Sequence, residues 1–148
     1  MERSEGMQDF KIYLGGSMCG STFEEQTKWR RQVRDAILFG DYDYKKKVDF
    51  FDPTQFYNFE EKRYKSESEV MEFDLYNLRS SNLLVVNFNN PSSIGTAMEI
   101  MLAKELHIPI LGLNKDKKEL HPWLECSCNR ICDDMRELVT HVVEFYLN

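Results

Sequence analysis

The chain has 148 residues, 42% hydrophobic and 30% charged, with a formal net charge of -6. That is one domain, able to bury roughly two-thirds of its unfolded surface, and its acidic balance argues against polymeric nucleic acid, which is held by clustered Lys and Arg. No run of about 18 apolar residues offers a membrane span, and four Cys are too few for a disulfide scaffold.

Residues 1–9 are polar and acidic and read as a disordered lead-in to a single domain over 10–148. They hold no apolar segment of the kind a secretory leader needs, so a cytoplasmic location is expected. Lys11 to Leu14 forms a short strand that runs into the Gly/Ser-rich stretch Gly15 to Thr22. A helix follows, with Trp29, Val33, Ala36 and Ile37 at helical spacing. Ser21 with Glu24, or Thr22 with Glu25, fits a capping box at its start, and Gly40 fits its stop. The Lys45-Lys46-Lys47 run reads as a solvated turn before a strand over Val48 to Phe51. Residues 55–66 are aromatic and charged without a period and read as a loop. A helix from Ser66 or Ser68 to Arg79 presents Val70, Phe73, Asn77 and Leu78 on one face.

Asn82 to Phe88 contains Leu-Leu-Val-Val, the continuous apolar pattern of a central parallel strand. After the Asn89 to Ser93 turn, Gly95 to His107 reads as a helix with Ala97, Met98, Met101, Leu102 and Leu106 inward and His107 in its last turn. Ile108 to Leu113 is the next strand, and 114–129 a polar connection. A short strand over Arg130 to Cys132 precedes a last helix from Asp133 to Tyr146, with Met135, Leu138, Val142, Phe145 and Tyr146 inward. Alternating strands and helices imply a parallel sheet covered on both faces by right-handed crossovers. The expected fold is therefore α/β, a flavodoxin-like or Rossmann-like three-layer sandwich of four or five strands in the order 2-1-3-4-5. Ligands of such folds bind beyond the carboxyl ends of the strands, where the order reverses. That point lies between loops 14–22 and 87–99.

Both loops carry chemistry. Ser93, Gly95 and Thr96 open a helix whose free N–H groups favour an anion or a sugar hydroxyl. Glu99, about one turn in, is expected to be held ionised by the helix dipole, and a positioned carboxylate can attack an acetal-like carbon. A plain first-turn Glu is the structural alternative. Gly15, Gly16, Ser17 and Gly20 can wrap backbone N–H groups around a small anion or form only a flexible turn. They match neither a phosphate-binding P-loop nor the dinucleotide fingerprint. Tyr13 ends the first strand at the same point. Asp74 lies on or beside the apolar stripe of its helix, where a carboxylate needs partners, and two converging carboxylates suit glycosidic chemistry.

Taken in order and spacing, Tyr13-Leu14-Gly15-Gly16-Ser17, Asp74-Leu75 and Gly95-Thr96-Ala97-Met98-Glu99 resemble the nucleoside 2-deoxyribosyltransferase superfamily, over about Lys11 to Leu113. The resemblance implies a retaining mechanism with Glu99 as the nucleophile that forms a covalent 2-deoxyribosyl-enzyme. It implies Asp74 as the carboxylate handling the base proton and Tyr13 as the hydroxyl positioning the nucleophile. The sugar then passes to another nucleobase or to water, with no metal or organic cofactor. The partners implied are a nucleoside or nucleotide, a free nucleobase, and a second copy of the chain in a homodimer or higher oligomer. Such oligomers complete each other's sites, and Asn114 and His121 are candidates for residues that one copy contributes to its neighbour's site, Asn114 as a substrate contact. Where transferases hold the sugar 5′-hydroxyl with an Asp, this chain has Ser93. The Ser-rich turns look closer to the deoxynucleoside 5′-monophosphate N-glycosidases of the superfamily, although Cys19 stands where their loop has an Arg.

Cys126, Cys128 and Cys132 beside His121 lack the paired spacing of a structural zinc site, so no metal is expected. Phe56, Tyr57, Phe59 and Tyr64 either line a base pocket or fasten a long loop. Trp29 and Trp123 read as core and interface. The Gly-Thr-x-x-Glu stretch is also similar to the cytokinin-activating phosphoribohydrolases, but Pro91-Ser92-Ser93-Ile94 replaces their Pro-Gly-Gly run. A nucleotide-sensing module without turnover is the non-enzymatic alternative.

Overall fold

The computed structural model describes residues 9–18 and 21–148. The lead-in over 1–8, together with Cys19 and Gly20, lies outside the described residues. Five strands form one parallel sheet: β1 (Asp9–Gly16), β2 (Lys47–Phe51), β3 (Leu83–Asn87), β4 (Ile110–Leu113) and β5 (Arg130–Cys132). Their order is 2-1-3-4-5, as expected from the alternating pattern. The helices are α1 (Phe23–Phe39), α2 (Glu67–Arg79), α3 (Ile94–Glu105), α4 (Pro122–Ser127) and α5 (Met135–Tyr146). No helix among the described residues is long and apolar enough to cross a membrane.

Side chains alternate across β1 and so build two cores. Ile12 and Leu14 pack with Trp29, Val33 and Ile37 of α1 and Leu138, Val139 and Val142 of α5. Tyr13 points the other way, into a core with Leu78 of α2 and Ile100 and Ala103 of α3, against which Leu124 of α4 packs. The fold is therefore a three-layer sandwich with α1 and α5 on one face and α2, α3 and α4 on the other. Tyr13 pairs in register with Phe51 on one side and Leu84 on the other. Helix starts follow the sequence signals. Thr22 accepts from the Glu25 N–H, Ser66 from Glu69, Ser93 from Thr96 and Asp134 from Glu137. Each such cap stabilises its helix by about 1 kcal/mol.

Several local expectations are corrected. In α3 the buried stripe is Thr96, Ile100 and Ala103, while Met98, Met101 and Leu106 face outward. Apolar residues surround this helix, so periodicity could not choose the stripe that meets the sheet. Phe145 of α5 is 67% exposed and stacks on His141; Val139 and Val143 take the inward positions. On α2 only Leu78 is fully buried, with Val70, Phe73 and Asn77 half-buried. The connection after β4 contains α4, started by Pro122 and capped by His121. Trp29 is 7% exposed in the core beneath α1, and Trp123 on α4 is 78% exposed at the surface.

His107 lies past the helix end at φ 57°, where the Ile108 N–H reaches the Ala103 carbonyl and the His107 N–H that of Lys104, closing a Schellman turn. Lys46 is not simply solvated, since its ammonium bonds the Tyr146 carbonyl and sits over Phe10. Cys132 packs in the α1/α5 core and Cys128 against the opposite one.

Candidate active site

Tyr13 from β1, Asp74 from α2 and Glu99 from α3 meet on one face of the sheet at the point where strand order reverses. Because the three interact electrostatically, they share one site. The Tyr13 hydroxyl and one Asp74 carboxyl oxygen are buried without a hydrogen-bond partner. The Tyr13 hydroxyl faces the Glu99 carboxyl closely enough to hold it down, although no bond of full geometry closes. Catalytic hydrogen bonds are often loose before substrate binds.

The charge states differ from the dipole argument. Burial pushes the Glu99 carboxyl up to about 7, Asp74 raises it further, and the Tyr13 hydroxyl and Arg30 pull it down. Burial also pushes Asp74 up to about 7, opposed by Arg30. Glu99 is the sixth residue of α3, and the dipole fades beyond the first turn, so desolvation decides. With both carboxyls raised to about 7, chiefly by burial, one can be a neutral acid while the other is a carboxylate at neutral pH. One neutral acid beside one carboxylate is the combination that glycosidic exchange with retention uses.

Arg30 was not among the residues singled out by sequence. It is 1% exposed on α1, with its guanidinium bonded to the carbonyls of Leu14 (3.0 Å), Gly16 (3.3 Å) and Gln26 (3.0 Å). Asp52, just after β2, stands 3.8 Å away. A signal existed: Gln26, Arg30, Val33 and Ile37 fall at i, i+4, i+7 and i+11, so Arg30 lies inside the buried stripe of α1.

The two loops chosen from sequence are tied together by polar side chains. Gln26 is fully buried, donates to Ser21 and accepts from the Asn89 amide at 3.4 Å. Asn90 donates to the Ser17 hydroxyl at 3.4 Å, and the Lys118 ammonium donates to the Asn89 carbonyl. Asn89, Asn90 and Lys118 are further residues that the motif reading missed. Ser93 caps α3, its hydroxyl oxygen accepting from the N–H (3.3 Å) and hydroxyl (3.0 Å) of Thr96. Its own O–H still has a proton to donate. Gly16 takes φ 157°, and a Cβ there would press on Trp29 at 3.2 Å and the Asn87 carbonyl at 3.3 Å. A Cβ at Gly95 would meet nothing within 4 Å, so packing among the described residues does not require glycine there. Asn114 spends its side chain on a clasp: Oδ1 accepts from the Lys118 N–H at 3.0 Å and Nδ2 donates to the Lys118 carbonyl at 2.9 Å. The clasp carries Lys118 back to Asn89.

The aromatic loop divides. Phe59 packs on Phe23 of α1, and Tyr64 on Tyr57 and, by its hydroxyl, on Glu67, which fastens the loop. Phe56 instead continues a chain of rings from the site outward, stacked on Phe51 at 5.4 Å, which in turn lies 5.0 Å from Tyr13. Phe56 is 56% exposed.

No family model and no curated protein matches the sequence. Solved structures match the fold. A conserved protein from Enterococcus faecalis V583 superposes with a TM-score of 0.69 at 18% identity, over 93% of this chain and 98% of that one. A 2-deoxyribosyltransferase from Bacillus psychrosaccharolyticus gives 0.65 at 17% identity, over 87% and 90%. A CMP N-glycosidase from Clostridium botulinum gives 0.53 at 18% identity, over 89% and 97%. The fold is thus one used by enzymes that transfer or release groups at N-glycosidic bonds.

Proposed function

We propose that the chain is a nucleoside 2-deoxyribosyltransferase-like enzyme that cleaves the N-glycosidic bond of 2′-deoxynucleosides or their 5′-monophosphates. What carries the reading is the meeting of Tyr13, Asp74 and Glu99 at the switch point, with both carboxyls titrating near neutrality. Glu99 forms a bond to the anomeric carbon as the bond to the base breaks. The base nitrogen keeps the electron pair and takes a proton from Asp74. The Tyr13 hydroxyl orients the attacking carboxylate. In the second half-reaction a nucleobase nitrogen or water attacks the same carbon, Asp74 accepts the proton, and Glu99 is released. Gly15, Gly16, Ser17, Ser93, Gly95 and Thr96 border the 5′ end of the sugar. Asn114 serves it indirectly, by placing Lys118. Phe56, 56% exposed and backed by the buried Phe51, offers a ring on which the base can stack.

The second reading is a hydrolase confined to 5′-monophosphates. It is favoured by Ser93 in place of an Asp and by the Lys118 ammonium beside Asn89, since a carboxylate would repel a phosphate that hydroxyls and a cation receive.

The proposal includes a homodimer or higher homo-oligomer. Ile94, Met98 and Met101 form an outward stripe on α3 that shares a groove of about 440 Å³ with Trp123 and begins beside Ser93. Ile94 is 77% exposed. A stable dimer buries about 800 Å² per partner, and a second copy on this stripe would stand at the mouth of the site. Sedimentation at micromolar concentration tests this, and a monomer removes that part of the proposal.

The activity is tested by incubating protein with deoxynucleosides and their 5′-monophosphates, with and without free adenine or cytosine, and resolving the products by chromatography. A new deoxynucleoside formed only with added base supports the transferase. Free base from monophosphates alone supports the hydrolase. Glu99→Ala is expected to abolish either activity with circular dichroism unchanged, and full activity in that variant removes the mechanism. No turnover of any substrate moves the reading to the sensing module.

A further inference from the structure

Two carboxyls in one buried site repel each other, yet the nucleophile has to be ionised. A cation bonded directly to Glu99 would ionise it but occupy the attacking oxygen. Arg30 stands differently. Its ordinary-length bonds go to neutral carbonyls, those of Leu14 and Gly16 at the end of β1 and of Gln26 within α1. The nearest carboxylate oxygen, on Asp52, is 3.8 Å away and is itself shared with the Thr54 N–H and hydroxyl. The Asp52 ion pair is long, and the guanidinium charge also acts on Glu99 and Asp74. An Arg side chain keeps its proton in proteins. The groups facing it are Asp52 from the end of β2, Tyr13 from β1, Asp74 from α2 and Glu99 from α3. Tyr57 is the other titratable side chain that feels Asp74.

We infer that Arg30 is the positioning residue of this site: it anchors the carboxyl end of β1 under the Gly-rich loop and supplies from below the positive charge that lets Glu99 ionise while leaving its oxygens free. The inference rests on the site proposed above, and its consequences separate from those of that reading. Arg30→Met removes both anchor and charge. Arg30→Lys keeps the charge but loses the planar fork that reaches several carbonyls. Asp52→Asn keeps an acceptor for Thr54 and removes the negative charge opposing Arg30.

The measurement is the pH titration of the Glu99 and Asp74 carboxyl carbons by ¹³C NMR in the free protein, assigned with Glu99→Gln and Asp74→Asn. An opposite charge in close contact lowers a carboxyl by one to three pH units. The Arg30 charge acts from further off, so Arg30→Met is expected to move the Glu99 titration upward by at most about one unit. Asp52→Asn is expected to move it downward, and Arg30→Lys to leave it near wild type. In turnover, the acid limb of kcat/KM follows the same order, and Arg30→Lys lowers kcat about tenfold through the loosened loop. A Glu99 titration unmoved in Arg30→Met, or moved the same way in Asp52→Asn, overturns the inference. If Arg30→Met does not fold, the Arg30→Lys and Asp52→Asn pair decides by the same criterion. The titrations are read without substrate, so absent turnover in the wild type refutes the proposed activity and leaves the role of Arg30 separately decidable.

Discussion

Glu99→Gln is expected to stabilise the protein while silencing it. The Glu99 carboxyl moves from its ordinary 4.5 to about 7 in the folded chain, a rise of about 2.5 pH units. At about 1.36 kcal/mol per unit that is roughly 3 kcal/mol. The sign follows from proton linkage. Below 4.5 both states are protonated and nothing is lost. As pH rises from 4.5 to 7 the unfolded chain ionises freely while the native site holds its proton, so native stability falls, and above 7 the loss is complete. A Gln side chain never ionises and its carbonyl still faces the Tyr13 hydroxyl. The variant should therefore match wild type at pH 4 and exceed it by about 3 kcal/mol at pH 8. For a domain of this length the Tm gain at pH 8 is about 10 °C. Urea unfolding at pH 4, 6 and 8, with unchanged m-values, measures it. A gain equal at every pH would show that shape rather than buried charge is responsible, and a loss at pH 8 would refute the desolvation argument.

Other consequences concern turnover and the 5′ end. Because Glu99 and Asp74 both titrate near 7, kcat/KM should be bell-shaped around neutrality, failing at low pH as the nucleophile is protonated and at high pH as the acid is lost. Asp74→Asn should lower kcat by about 10²–10⁴ and flatten the alkaline limb; a pH profile without two limbs contradicts the pairing. Ser93→Asp should shift preference from monophosphates to deoxynucleosides, and an unchanged ratio removes Ser93 from the site. Lys118→Ala deletes the ammonium at Asn89; loss of one charged contact, about 1.5–3 kcal/mol, should raise KM at least tenfold for monophosphates and leave it unchanged for deoxynucleosides.

The legible parts of the site were those carried by local order. Tyr13 closes a strand, Glu99 follows a Gly-Thr helix start, and Asp74 breaks an apolar stripe. Each is visible in a short window, and the resemblance joined them. Glu99's charge state was not visible, because it depends on what three other elements remove from solvent. Arg30 lay inside the stripe of α1, but reading it as a site residue needed the carbonyls of Leu14 and Gly16 to be adjacent. Asn114 looked like a ligand contact, and its clasp on Lys118 appears only with the loop closed. The outward stripe of α3 was not legible because apolar residues lie on more than one face of the helix, with Ile94, Met98 and Met101 outward and Ile100 and Ala103 inward.

The amino-acid sequence by itself determined the five strands, the helices α1, α2, α3 and α5, their order and hence the parallel 2-1-3-4-5 sheet, because hydrophobic period, caps and breakers act over a few residues and right-handed crossovers leave few ways to connect them. Tertiary structure decided which carboxyls are desolvated, which cation answers them, and which polar groups of distant loops meet. Those outcomes depend on burial and on distances between groups 16 to 73 residues apart in the chain, such as Arg30 with Leu14 and Asn90 with Ser17. Electrostatic strength is set by the surrounding dielectric, which no local window of sequence contains.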